Sequence, residues 1–184
     1  MKKYFPFMIV GAIIGLVFLI CIILLLAGKV SFANNGFAVD KYDQLYVGKE
    51  RKIVVLKDNI CVKTIKPPTS RAYKFTIIDG ETILLSTSTK IYKMDLSGKI
   101  LSESADDGNK LYSQLQWKKT YTDHKGFNYT LKSNWGRTSI YKEGDQIYVM
   151  PLLDYIFLLL LVFSATILIV TCLAVVVKRF KTII

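Results

Sequence analysis

The sequence predicts an all-β domain built from three copies of a four-stranded unit, flanked by two transmembrane α-helices. Three observations carry this. Residues 4–27 and 155–177 contain no charged side chain, a strand-and-turn pattern recurs three times between those runs, and turn-rich polar segments separate the copies. The predicted boundaries are a tail at 1–5, a first span at 6–27, a β-domain at 28–150, a second span at 151–177 and a tail at 178–184.

Each uncharged run exceeds the ~20 apolar residues that cross a ~30 Å hydrocarbon core. Met1-Lys2-Lys3 precedes the first, and Lys178, Arg179 and Lys181 follow the second. The positive-inside bias then puts both tails in the cytoplasm and the domain outside the cell membrane. A cleaved signal peptide is the competing reading of the first run, with Ser31-Phe32-Ala33 as a small-x-small site. Its apolar run is longer than the ~7–15 residues of a signal core, which favours a retained anchor. Pro6 and Pro151 stand where each helix begins, because a first-turn residue needs no N–H partner. Asp154 falls in the first turn of the second span, where the helix dipole favours a carboxylate. Gly11 and Gly15 form a G-x-x-x-G, a candidate helix contact.

The middle copy of the repeat is the clearest. Phe75-Thr76-Ile77-Ile78 leads through the turn Asp79-Gly80 into strands at 82–85, 90–94 and 99–101, with a second turn at 95–98. Upstream, strands at 37–39, 44–47, 52–56 and 60–63 repeat the order. Downstream, strands at 121–123, 128–131, 137–141 and 146–149 repeat it again. An Asp closes the first strand of each copy, at Asp40, Asp79 and Asp123, and is expected to cap the turn by accepting backbone N–H groups. Residues 66–71, with Pro67-Pro68, and 102–110 read as connections.

This grammar resembles the blade of a β-propeller of the loosely patterned kind in quinoprotein-like and WD40-like domains, over about residues 31–150. No Trp-Asp ends a unit and no Gly-His opens one. The resemblance implies sheets set around a common axis. Closed propellers typically have four to eight blades, so three copies imply an incomplete ring or one completed by association through open strand edges.

The chemistry-bearing residues point away from catalysis. Cys21 and Cys172 lie in the spans, so Cys61 stands alone in the domain, where it is expected to be a buried thiol rather than half of a disulfide. His124 sits in a turn with no nucleophile pattern around any serine. Asp106-Asp107-Gly108-Asn109 lacks the alternating ligands of a calcium loop. No metal spacing and no cofactor motif is present. Within residues 112–148, aromatic and basic side chains interleave, and Trp117, Lys118, Lys119, Tyr121, Lys125, Tyr129, Trp135 and Arg137 form the candidate partner or ligand face, since rings and cations together suit an anionic or stacked partner. The same pattern also arises where strands favour aromatics and exposed edges favour lysine. The expected function is a non-enzymatic, membrane-anchored binding or accessory subunit, its partner another membrane protein or a second copy. The alternative is a receptor-like module for an anionic envelope polymer or lipid headgroups. An envelope hydrolase is the weaker alternative, and nucleic acid is excluded by location.

Overall fold

A computed structural model describes residues 5–27, 30, 35–69, 72–116 and 118–183. Lys2, Lys3, the Ser31-Phe32-Ala33 site, Arg71 and Trp117 lie outside the described residues. The chain divides into two compact units, Phe32–Met150 and the paired terminal segments Met1–Ser31 with Pro151–Ile184.

The larger unit contains three four-stranded antiparallel sheets, each a meander in sequence order. Sheet 1 comprises β1 (Phe37–Val39), β2 (Leu45–Gly48), β3 (Ile53–Lys57) and β4 (Ile60–Ile65). Sheet 2 comprises β5 (Tyr73–Ile78), β6 (Thr82–Thr87), β7 (Lys90–Asp95) and β8 (Ile100–Ala105). Sheet 3 comprises β9 (Thr120–Thr122), β10 (Asn128–Asn134), β11 (Arg137–Lys142) and β12 (Asp145–Val149). Each sheet is a blade of the propeller type. In sheets 1 and 2 burial falls from the first two strands to the last, with β1 buried throughout and β8 exposed throughout, whereas in sheet 3 the third strand, β11, holds the most buried positions.

The first strands are the hub. Asn35 O accepts the Phe75 N–H at 3.3 Å near the start of β1, and the Lys41 N–H donates to Gly80 O at 2.9 Å beyond its end, so β1 and β5 run parallel. From β9, the buried Tyr121 hydroxyl reaches Val39 O at 3.0 Å and Ile77 O at 3.3 Å, one group shared by the first strands of all three sheets. Sheets 1 and 2 meet closely elsewhere too. A Cβ built at Gly36, whose φ is +116°, would stand 2.8 Å from Phe75 O. A side chain there would push the two hub strands apart.

Tyr121 thus brings all three sheets into contact, while among the first strands only β1 and β5 pack along their length. The edge strands are managed individually. In each sheet the register shifts between the third and fourth strands, at Val55/Leu56, Lys93/Met94 and Ile140/Tyr141. A bulge there bends the edge strand and blunts its capacity to pair with another chain.

Three turns share one construction. In residues 40–44, 95–99 and 123–127 the opening aspartate accepts N–H groups from the second and fourth residues after it, at 2.8 to 3.0 Å. The fourth position takes positive φ, at Asp43, Gly98 and Gly126. The expected caps are thus present at Asp40 and Asp123. Asp79 instead takes φ 55° beside Gly80 in a two-residue hairpin closed by Glu81 N–H to Ile78 O at 3.2 Å, and the third capped turn belongs to Asp95. Of the connection expected at 102–110, residues 102–105 belong to β8, and the chain then enters helix α2 (Lys110–Gln116), which packs on β5 and β6. Asp106 secures it, accepting from Leu111 N, Tyr112 N and the Ser86 hydroxyl.

In the smaller unit, α1 (Phe5–Leu26) and α3 (Leu152–Ile183) pack on each other. Reduced exposure recurs at 14–15, 17–18, 21–22 and 24–25 on α1 and at 154–155, 157–158, 161, 164–165 and 167–168 on α3. The deepest positions are small, Cys21 and Ser164, as close approach of apolar helices requires. Gly11 is exposed and Gly15 half-buried, and a Cβ at either would meet nothing within 4 Å, so neither marks a close approach of the two helices. Within α3, Leu152–Leu173 is 22 residues of mean hydropathy 2.9, long and apolar enough to cross a membrane. The apolar stretch described on α1, Val10–Leu26, is shorter.

Candidate functional site

The predicted face does not survive as one surface. Tyr121 and Tyr129 are core residues, 6% and 2% exposed, because in β9 and β10 the positions facing sheet 1 are the ones they occupy. Burial pushes the Tyr121 hydroxyl up to about 12, against the Val39 hydrogen bond, and raises Tyr129 further, where the Asp123 carboxylate adds to the effect. The remaining described members divide between two ends of the domain. Because the first strands run parallel and every sheet is a meander, all turns leaving odd-numbered strands lie at one end, here the far end. All connections leaving even-numbered strands lie at the other, together with both points where the chain joins α1 and α3. Lys125 belongs to the far end, whereas Lys118, Lys119, Trp135 and Arg137 belong to the near end.

Interleaved cations and rings have a local use within sheet 3. Lys142 Nζ lies 4.0 Å from the Phe127 ring centroid and 5.7 Å from that of Tyr129, Lys132 covers Tyr141 at 4.7 Å, and Lys118 covers Tyr121 at 5.8 Å. Each lysine stem shields a ring while its ammonium stays wet. Cys61 is exposed on the outer strand of sheet 1, not buried as expected. His124 is exposed, and its ring lies against Gly80.

The concave feature of the far end is a cleft of about 330 Å³ between sheets 1 and 3. Its floor is apolar, from Val39, Leu45 and Leu56 on one side and Tyr129 and Ile147 on the other. Its rim carries Asp43, Asp58 and Asn59 from sheet 1, facing Lys142 and Gln146 from sheet 3. Two rim residues hold unusual backbone. Asp58 and Asn59 have φ of 50° and 65°, a two-residue hairpin that turns both side chains out at the mouth. A salt bridge, Lys125 Nζ to Asp43 at 2.7 Å, closes one edge and ties the two sheets together. The Lys125 hydrogen bond holds the Asp43 carboxyl below its ordinary range, against a burial cost, with help from Lys142 and His124.

Apolar walls with a few opposed charges at the mouth suit a small amphiphilic molecule or an inserted side chain; the volume lies at the lower limit of ligand pockets, ~300 Å³. The cleft contains no serine, cysteine or histidine, and no group of three metal-ligating side chains occurs among the described residues. Sequence reasoning missed the cleft because its residues come from six strands and two turns of two sheets. The repeat itself was the available signal: once the copies align, Asp43, Asp58 and Gln146 fall at the same end.

No family model and no curated protein matches this chain. Among solved structures, it is similar to a protein of unknown function from Bacteroides caccae (13% identity, 65% of this chain and 46% of that one, TM-score 0.31). It is also similar to BamB from Moraxella catarrhalis (12%, 64% and 37%, TM-score 0.34) and to a streptogramin B lyase (16%, 66% and 41%, TM-score 0.37). The chain spans less than half the length of each. Superpositions this loose define neither fold nor activity, so the blade assignment rests on strand order and the repeated bulges.

Proposed function

We propose that this chain is a two-pass membrane protein with both tails in the cytoplasm, whose extracytoplasmic β-domain is a non-enzymatic binding or accessory subunit of a membrane complex. The observation that carries the reading is the cleft between sheets 1 and 3. It opens at the end of the domain opposite both chain connections to the helices. An apolar floor with Lys142 opposite Asp43 and Asp58 suits an inserted side chain flanked by charges of both signs. The rim offers no acid, base or nucleophile arranged on a common point, which favours binding over turnover.

The test is extraction of the tagged full-length protein from its native membrane in a mild detergent, followed by determination of mass and composition. A stoichiometric companion or defined homo-oligomer is expected, and the double substitution Asn59→Arg with Gln146→Arg, which fills the mouth, is expected to release it while leaving the melting temperature of the domain unchanged. A lone monomer, or a companion indifferent to the filled cleft, overturns the reading.

A further inference from the structure

The near end of the β-domain has a chemistry of its own. The exposed basic residues Arg51, Lys66, Lys110, Lys118 and Lys119 all lie in connections leaving even-numbered strands, with half-buried Arg137 beside them. Acidic residues in those connections are few: Glu50, Asp106 and Asp107, of which Asp106 is engaged in securing α2. The far end holds nine of the domain's carboxylates, from Asp40 to Asp145. The domain is therefore polarised, positive where the chain joins the apolar helices and negative away from them.

Trp135 stands at the same end. It is 87% exposed and has φ 49°, the first of two central residues in the tight turn joining β10 to β11, with Gly136 at φ 82°. Asparagine, aspartate or glycine ordinarily fills that position, because a bulky side chain with positive φ is strained. Strain and exposure together place the largest side chain where folding gains nothing from it. Two hydrogen bonds locate this hairpin tip along the chain: the Met150 N–H donates to Thr138 O at 2.8 Å, and Arg137 Nε donates to Met150 O at 3.4 Å. Only Pro151 separates Met150 from Leu152, the first residue of the 22-residue apolar run. Two residues of chain span at most ~7 Å, so the tip of the hairpin is tethered to the start of that run.

We propose that the near end of the domain is a lipid-contact surface, with Trp135 in the headgroup layer and the basic connections drawn to anionic phospholipid. Tryptophan favours that layer because its ring is apolar and its N–H is polar, and clustered Lys and Arg favour an anionic surface within a Debye length. This rests on the membrane-spanning reading of α3 given above.

The experiment uses the full-length protein with Trp117→Phe, which leaves Trp135 as its sole tryptophan, in vesicles of phosphatidylcholine alone or with about one-third phosphatidylglycerol. Carbonate extraction of the same vesicles reads insertion separately. Inserted protein is expected to show Trp135 fluorescence quenched by lipids brominated near the headgroup. Quenching should be at least about threefold stronger in the anionic vesicles and lost near 0.5 M salt, as screening shortens the reach of the charges. Lys66→Glu with Lys110→Glu and Lys119→Glu is expected to abolish the anionic preference without changing the melting temperature. Inserted protein whose Trp135 is quenched by aqueous acrylamide and not by brominated lipid overturns the contact. Quenching equal in both vesicles overturns the role of charge, and so does protection of Trp135 by a soluble polyanion or by a second copy of the chain. Protein extracted by carbonate overturns the spanning reading and the contact with it.

Discussion

Sheets 1 and 3 open on the same device, and sheet 2 does not. In sheet 1, Asp40 caps the five-residue turn with one carboxylate oxygen and receives the Tyr46 hydroxyl on the other at 3.2 Å. In sheet 3, Asp123 does the same and receives Tyr129 at 3.0 Å. The tyrosine follows its aspartate by six residues in both. Sheet 2 has Asp79 and Leu85 at the corresponding positions, and its hairpin needs only two central residues. A wide turn leaves backbone donors pointing inward, and a buried carboxylate satisfies them; a tight turn leaves none. Identical-looking aspartates in a repeat can thus be structurally unequal, and the inequality follows turn length.

The largest test of that difference is removal of the carboxylate. Asp40→Ala and Asp123→Ala each strand two backbone N–H groups and one buried phenol, and each is expected to cost about 3 kcal/mol, read as a lower melting temperature of the full-length protein in detergent. Equal loss from Asp79→Ala would break the comparison. Next comes alkaline pH. Burial raises Tyr46 and, with Asp123, Tyr129, while Tyr121 stands at about 12. These groups stay protonated in the fold after unfolded tyrosine begins to ionise near ~10. Stability is therefore complete below about pH 10 and falls as pH rises toward 12. Hydrogen exchange should accelerate first at residues 40–44 and 123–127, and later at 95–99, where Asp95 caps the turn with no tyrosine attached. Removing the shared hydroxyl at the hub by Tyr121→Phe leaves two buried carbonyls short of a donor and is expected to cost about 1.5 kcal/mol, without altering exchange at residues 40–44 more than elsewhere in the hub.

Strand order was readable because each strand is short, bounded by Gly/Asp turns and repeated three times; all twelve strands are present in the expected order, though β8 runs on to Ala105 through residues expected as a connection. Helix α2 was not readable, because Lys110–Gln116 is preceded by Asp106-Asp107-Gly108-Asn109, which scores as loop, and its stability comes from packing on β5 and β6 rather than from its own seven residues. The interleaved face misled for a related reason. Alternation tells which residues share a face, but not which face another sheet will cover, and Tyr121 and Tyr129 are on the covered one. The cleft depends on how sheets 1 and 3 diverge, a property of packing that no local pattern encodes. The two charged ends, by contrast, follow from meander order alone once the first strands are known to be parallel.

The smallest effect is also the sharpest, because it is expected to differ in sign between copies. At Asp79 the side chain matters for backbone conformation, and asparagine followed by glycine is the dipeptide that best suits a two-residue turn with both φ positive. Asp79→Asn is therefore expected to be neutral or to stabilise by up to about 0.5 kcal/mol. At Asp40 the same exchange replaces an acceptor by an amide NH₂ that faces the Tyr46 hydroxyl, so one of the three hydrogen bonds must reverse and the charge that strengthened the other two is gone. Asp40→Asn is expected to destabilise by about 1.5 kcal/mol. Melting curves of the two single variants and the double variant decide the matter. The two turns touch, since the Lys41 N–H donates to Gly80 O, so the double variant reads their coupling, whereas two single losses of equal size would mean that Asp79 works as a cap after all.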